Sequence, residues 1–313
     1  MTFFKKTDSH MQVKNIHIIF SSAILILLVV WSCKSKEVNY ITYYNKVNKI
    51  DSIYRMANKP KKAIRKYRRL FRRYEPKNQE RINEYANYII LSDQYHKNFG
   101  GQQSLYKLLP LIAPYNKQYK DYLKLYKKYG IDSVTVEKEI VQWKKSLNKQ
   151  LVDSFTVAMI QDRGAKADDS IKHHLILKKN AELLIWTFNH YGFPSLQKIG
   201  LWNEGEFLAM QSLIDHMSES TYYPYFKTKL LEYIKSGECP PYFYAVMIDK
   251  HNLNFTNHKE DIVYGAYRSI GFKLDSTQLD RNRRSIGLPS LRHYGVIKEV
   301  FHKKSATKNS LKK

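Results

Sequence analysis

The chain's 313 residues carry 53 Lys and Arg against 28 Asp and Glu, a formal net charge of +25, and 43% of the sequence is hydrophobic. That apolar share is ordinary for a globular protein and suffices for one large core or two modest ones; with only two cysteines, stability has to come from packing rather than a disulfide framework. So large a positive balance invites an anionic partner, and nucleic acid is the default if the chain stays in the cytoplasm, so the compartment decides the class.

The first element, Ile16 to Trp31, reads IHIIFSSAILILLVVW. Sixteen residues make a helix of roughly 24 Å, short of the roughly 30 Å hydrocarbon core, so a stable membrane crossing is disfavoured. Lys5, Lys6 and Lys14 precede it as the basic region of a signal peptide. Val30, Ser32 and Cys33 resemble a bacterial lipobox, with Trp31 departing from the pattern at the intervening position. The resemblance implies cleavage after residue 32 and lipidation of Cys33, with two or more acyl chains giving stable anchoring. An uncleaved anchor with a fortuitous Cys is the alternative, and both put the remaining chain outside the cytoplasm. Lys34 stands where Asp signals inner-membrane retention, and Ser35-Lys36-Glu37 lacks the two acids that follow Lys in surface-export signals. The expected location is therefore the outer membrane, facing the periplasm. A start at Met11 would give a more typical signal length. Export replaces nucleic acid by lipid A phosphates, anionic phospholipid or a polyanionic glycan as the expected partner; a lysine-rich composition serving solubility is the plainer reading.

Residues 33–58 show few apolar periodic positions and read as a tether. From Lys59 the sequence KPKKAIRKYRRLFRRYEP places Pro60 in a first helical turn and Ala63, Tyr67, Leu70, Phe71 and Tyr74 on one face. Nine of the sixteen residues Lys59 to Tyr74 are Lys or Arg, so this basic amphipathic helix reads either as a surface binder of anionic membrane or as the solvated outer face of a helical hairpin. Further helices are expected over 78–97, ended by Gly100-Gly101, and over 105–129 with breaks near Pro110 and Pro114, stopped by Gly130. Residues 59–133 form a basic helical region without a clean repeat. A helical domain over 134–300 follows, with expected helices at 134–161, 171–190, 204–217, 223–235, 242–249 and 279–287, then a basic tail at 301–313. Strand-like alternation is scarce, so the class is all-α.

Several short motifs in the second half line up in order: Asp162-Arg163-Gly164-Ala165-Lys166, Gly192-Phe193-Pro194, His216 in LIDHM, Asp249-Lys250, Tyr264-Gly265-Ala266-Tyr267, and the closing Asp280, Arg283-Arg284, Gly287-Leu288 and Tyr294. From about Asp153 to Tyr294 the chain resembles an uncharacterised bacterial domain family found in lipoproteins and other exported proteins. The family pattern has Gly-Trp-Pro, His, Asp-Arg, Tyr-Gly-Thr-Gln and Arg-Arg-x-x-Gly-Leu elements. It brings no known activity with it. Ala266 and Tyr267 replace a Thr and a Gln of the pattern, so a polar site formed there in relatives is altered or lost here.

His216, Asp249, Asp162 and Tyr264 are the candidate catalytic residues, since an imidazole oriented by a carboxylate can move protons near neutral pH. The competing reading has His216 packing at a helix end and Asp249 pairing with a nearby cation. Arg283, Arg284 and Lys250 are candidate binding residues, able to clamp carboxylates of a ligand or of the protein itself. His190 is expected at a helix C-terminus, and His173, His174, His251 and His258 at the surface. No Cys/His spacing resembles a zinc site, no metal or other cofactor is implied, and serine-nucleophile, phosphate-loop and nucleotide motifs are absent. The sequence points to an envelope lipoprotein that binds or scaffolds, with two alternatives: a hydrolase-like C-terminal domain using His216 and Asp249, or attachment of the 59–74 helix to anionic lipid or glycan. It specifies no protein partner.

Overall fold

The computed structural model describes residues 39–77, 79, 81–115, 117–164, 170–219, 221–255, 262–267 and 275–310. The expected signal segment and Cys33, and likewise Ala165, Lys166 and His258, lie outside them. The described residues form fourteen α-helices, one 3-10 turn and one two-stranded hairpin, an all-α protein as its sequence predicts.

The tether expected up to residue 58 is largely a helix. In α1 (Tyr40–Arg55) Tyr40, Tyr43, Tyr44, Val47 and Ile50 recur at helical spacing and are buried, and the Asn39 side chain caps the start by accepting the Ile41 N–H at 2.9 Å. Four of its neighbouring rings, Tyr40, Tyr43, Tyr44 and Tyr74, pack with centroids 5.3–6.3 Å apart. Tyrosine supplies the area of a large apolar residue but carries a hydroxyl, and the stripe works because the hydroxyls find partners: Tyr43 donates to Glu84 at 2.7 Å. The basic helix α2 (Pro60–Phe71) returns along α1, burying Ala63, Ile64, Tyr67 and Leu70 and turning its cations outward.

Boundaries depart from expectation where a polar side chain competes for the backbone. α3 (Glu84–Gln94) starts six residues after the predicted onset, because the Glu84 carboxylate accepts the Gln79 N–H at 2.6 Å and Asn83 adopts a left-handed conformation, holding the preceding segment as a loop. Gly100, at φ +103°, opens α4 (Gly101–Ile112), which continues through Pro110. A 3-10 turn at Gln118–Tyr122 leads into α5 (Leu123–Lys128), stopped by Gly130 at φ +78°. The single long helix expected over 134–161 is two, α6 (Ser133–Ser146) and α7 (Lys149–Gly164): Leu147 is extended, and Asn148 recaps the chain by accepting the Leu151 N–H at 3.0 Å.

α8 (Ser170–Tyr191) and the short α9 (Leu196–Ile199) precede a hairpin, β1 (Trp202–Asn203) and β2 (Glu206–Phe207), where a helix was expected from Glu204. Glu204 and Gly205 both take positive φ, the two-residue turn whose twist suits a hairpin, so the helix α10 begins only at Met210 and ends at His216. α11 (Tyr223–Ser236), α12 (Pro241–Phe255) and α13 (Ser276–Ser285) follow. The final helix α14 (Leu291–Ser310) runs through most of the expected basic tail.

One buried apolar cluster runs from Tyr40 to Ile297, so the boundary expected at 133/134 does not separate two cores. Polar ties join α1 to the segment from the end of α13 to the start of α14. Asn45 and Asn48 donate to the carbonyls of Arg284 and Gly287, each at 2.9 Å, and His293 Nε2 lies 2.8 Å from the fully buried Asp51, which Arg55 also grips at 2.8 Å. Among the described residues no helix is long and apolar enough to cross a membrane.

Candidate functional site

The four candidate catalytic residues fall into two separate networks. Asp162, on α7, and His216, at the end of α10, do meet: His216 Nδ1 is 2.9 Å from Asp162 Oδ1, which also accepts from Asn180 at 3.3 Å. Asp249 is elsewhere engaged. Its buried carboxylate receives the backbone N–H groups of Val263 and Tyr264, each at 2.9 Å, and of Ala266 at 2.6 Å. Burial raises the Asp249 carboxyl above its ordinary value, and these amide donors offset only part of that rise. Asp249 thus anchors the 262–267 loop through the main chain rather than pairing with a cation. Tyr264 is buried against Tyr244, ring centroids 6.0 Å apart, and burial raises its hydroxyl far above the usual phenol range.

The three candidate binding cations also divide. Arg283 is fully buried and donates to the carbonyls of Pro289 at 2.6 Å and Tyr264 at 2.7 Å, with its guanidinium 5.3 Å from the Tyr294 ring. It is a structural clamp between the 262–267 loop and the turn after α13, and it touches no carboxylate. Adjacent Arg284 is exposed. Lys250 pairs at 2.5 Å with Glu219, whose second oxygen lies 3.5 Å from His173 Nε2. Burial pushes Glu219 up, but the hydrogen bond and charge of Lys250 outweigh it and hold the carboxyl low. The His173 and His216 ring centroids are 6.3 Å apart, so the Asp162–His216 pair and the His173–Glu219–Lys250 set meet only through this ring contact, with each member already partnered. At its edge burial pushes Asp215 up to about 7, against the pull of Lys250, and its Oδ1 has no hydrogen-bond partner.

His190 does sit at a helix C-terminus, its Nδ1 2.7 Å from the Trp186 carbonyl. His251, expected at the surface, is half-buried, stacked 3.5 Å from the Tyr223 ring with Nδ1 2.7 Å from the Ser218 carbonyl. Cys239 is buried, which pushes its thiol far up and leaves it unreactive. Among the described residues no group of three or more His, Cys, Asp or Glu is placed to hold a metal ion.

Two surfaces have the chemistry for recognition of an anion. The outer face of α2 and the turn after it presents Lys61, Lys62, Arg65, Arg69, Arg72 and Arg73, all exposed, and among the described residues none forms an ion pair with a carboxylate. Arg68 is the exception, donating to the Asn98 carbonyl. The second is a cleft of ≈160 Å³ between the 77–82 segment, the 193–197 turn and the helices α12 and α14. Sequence reasoning missed it, because its walls come from stretches more than 200 residues apart; the clustered prolines of Pro240-Pro241 and Pro289 were the one local hint. No family model matches the chain, nor does any curated protein or solved structure. The geometry defines a class on its own terms: an all-α protein with a basic outer helix face and an aromatic cleft.

Proposed function

We propose that this is a lipid-anchored protein of the bacterial envelope that binds rather than reacts, recognising the phosphate-bearing face of its membrane through the outer side of α2. The supporting observation is the row of six exposed cations with no carboxylate partner among the described residues. The apolar stripe of α2 is buried in the core, so the helix offers charge and not a membrane-inserting face. A cationic side chain near an anionic bilayer contributes about 1 kcal/mol, so the patch alone gives weak, salt-sensitive binding that complements an acyl anchor. Cys33 precedes Tyr40 by seven residues, which extend at most about 25 Å. Lipidation there would keep the start of α1 near the membrane, and Tyr74, just beyond α2, is 5.8 Å from Tyr40. Arg72 and Arg73 belong to that same end.

The test uses residues 34–313, which retain the compact unit beginning at Asn39 and lack any acyl chain. Cosedimentation is expected with vesicles containing phosphatidylglycerol at 50 mM salt, and loss of it at 300 mM. Joint reversal of Arg65, Arg69, Arg72 and Arg73 to Glu should weaken binding at least tenfold. Equal binding to zwitterionic vesicles, or indifference to the reversal, would refute the proposal. The catalytic alternative would have to run on Asp162 and His216 alone, because the Asp249 carboxylate is occupied by backbone donors.

A further inference from the structure

The ≈160 Å³ cleft is built from two kinds of wall. Phe193, Tyr242, Phe243, Tyr294 and Met210 make it aromatic and apolar, and its volume is close to the ~150 Å³ that holds one benzene-sized body in an apolar cavity. The 77–81 segment supplies the other wall and is cationic. Lys77 lines the cleft half-buried, and desolvation lowers its ammonium below the ordinary lysine value, so its charge is short of solvent. Arg81 lies between the Tyr242 and Tyr294 rings, 5.8 Å from each centroid, with Nη1 donating to the Tyr294 hydroxyl at 2.5 Å. Among the described residues it forms no ion pair. The one acid on the rim, Glu238, is taken by Lys198 at 2.9 Å.

Gln79, between these two cations, carries the decisive detail. Its side chain lines the cleft, and its Nε2, buried just behind the wall, has no hydrogen-bond partner among the described residues. A buried amide donor without an acceptor costs about 1–3 kcal/mol, a cost removed by a ligand atom that accepts from it. Two cations that form no close ion pair with a described carboxylate, flanking an unsatisfied donor, call for an acceptor with negative charge, and the aromatic wall calls for a flat apolar body.

We propose that this cleft binds a small organic anion, an aromatic carboxylate in which the ring lies among Phe193, Tyr242 and Met210 and the carboxylate meets the Lys77 and Arg81 cations, with the Gln79 amide turning from behind the wall to donate to it. The site is separate from the α2 face and does not depend on the membrane proposal.

The experiment uses residues 34–313 and the fluorescent anion 8-anilinonaphthalene-1-sulfonate, one ring of which can enter the open cleft while the rest projects outward, its emission rising on contact with the apolar wall. Bound dye should be displaced by indole-3-acetate and by benzoate, and at least tenfold less well by benzyl alcohol or benzylamine. Gln79→Ala removes a side-chain amide that has no partner to lose, so it should leave folding intact and weaken indole-3-acetate binding about tenfold. Met210→Trp should fill the apolar wall and abolish dye binding, while the four-Glu variant of the α2 face should bind dye as before. Equal competition by the alcohol, amine and carboxylate, competition by inorganic phosphate alone, or full dye binding in Met210→Trp would each overturn the proposal.

Discussion

Replacing Asp249 tests whether it is a structural anchor or a catalytic acid. Three backbone donors converge on its carboxylate; the Tyr264 N–H is buried and those of Val263 and Ala266 are partly so. In Asp249→Ala all three lose their acceptor. At ~2 kcal/mol for the buried donor and ~1 kcal/mol for each partly buried one, the loss is about 4 kcal/mol. Asp249→Asn keeps one oxygen for Val263 and Tyr264 but turns an NH2 toward the Ala266 N–H. It also removes a charge whose burial opposes folding, so its cost should be only about 1–2 kcal/mol. With a urea slope of about 3 kcal/mol/M for a chain of this size, the midpoint should fall by roughly 1.3 M for Ala and 0.5 M for Asn. Chemical denaturation followed by far-UV circular dichroism reads both shifts. Unchanged midpoints in both variants, or Asn as damaging as Ala, would refute the cradle as the role of Asp249.

Other expectations follow from single contacts. Burial places Asp215 at about 7, above its unfolded value, so the neutral acid favours folding fully below about pH 3.9 and that contribution is lost as pH rises through 7. Asp215→Asn should therefore be neutral at pH 4 and stabilising by about 2 kcal/mol at pH 8 in matched denaturation curves; the opposite pH trend would contradict the burial argument. Gly287, at φ +90°, would put a Cβ 2.7 Å from the Tyr44 Cβ, so Gly287→Ala combines backbone strain with a clash and should cost about 2–4 kcal/mol, read as a lowered thermal midpoint. Deleting residues 34–58 would be harmless for a tether. Here it removes Tyr43, Tyr44, Val47 and Ile50, each at most 4% exposed, and at ~1.5–3 kcal/mol apiece that rivals the whole stability of a domain. A soluble, cooperatively melting deletion would contradict this.

What was legible in the sequence followed from local physics. The spacing in KPKKAIRKYRRLFRRYEP shows α2 and its two faces, and Gly192 and Gly237, both with positive φ, stop α8 and α11 where expected. α1 was hidden because its stripe is written in tyrosine, which scores as polar although paired hydroxyls let it pack as core. The break at Asn148 and the late start at Glu84 depend on single side-chain acceptors, and a periodic count cannot see these. Of the site, Asp162 and His216 lie together, while Asp249 and Arg283 hold backbone atoms. Types and order show which residues are polar and buried, but not whether their partner is a side chain, the main chain or a ligand.

The cleft lies on the seam where the chain's two ends join, and this links its occupancy to stability. Asp51 to His293, Asn48 to Gly287 and Arg81 to Tyr294 each bridge more than 200 residues, and Arg81 and Tyr294 also line the cleft. Contacts of such separation carry a large loop-closure cost and form only when most of the intervening helices are in place. A ligand gripped by Arg81 and Gln79 on one side and Tyr242 on the other would favour the closed seam over any state in which the ends have parted. At one hundred times its dissociation constant it would add about 2.7 kcal/mol. That gain should disappear in Met210→Trp even though every bridge across the seam is retained, because the bridges hold the ends together but only the cleft can convert binding into stability.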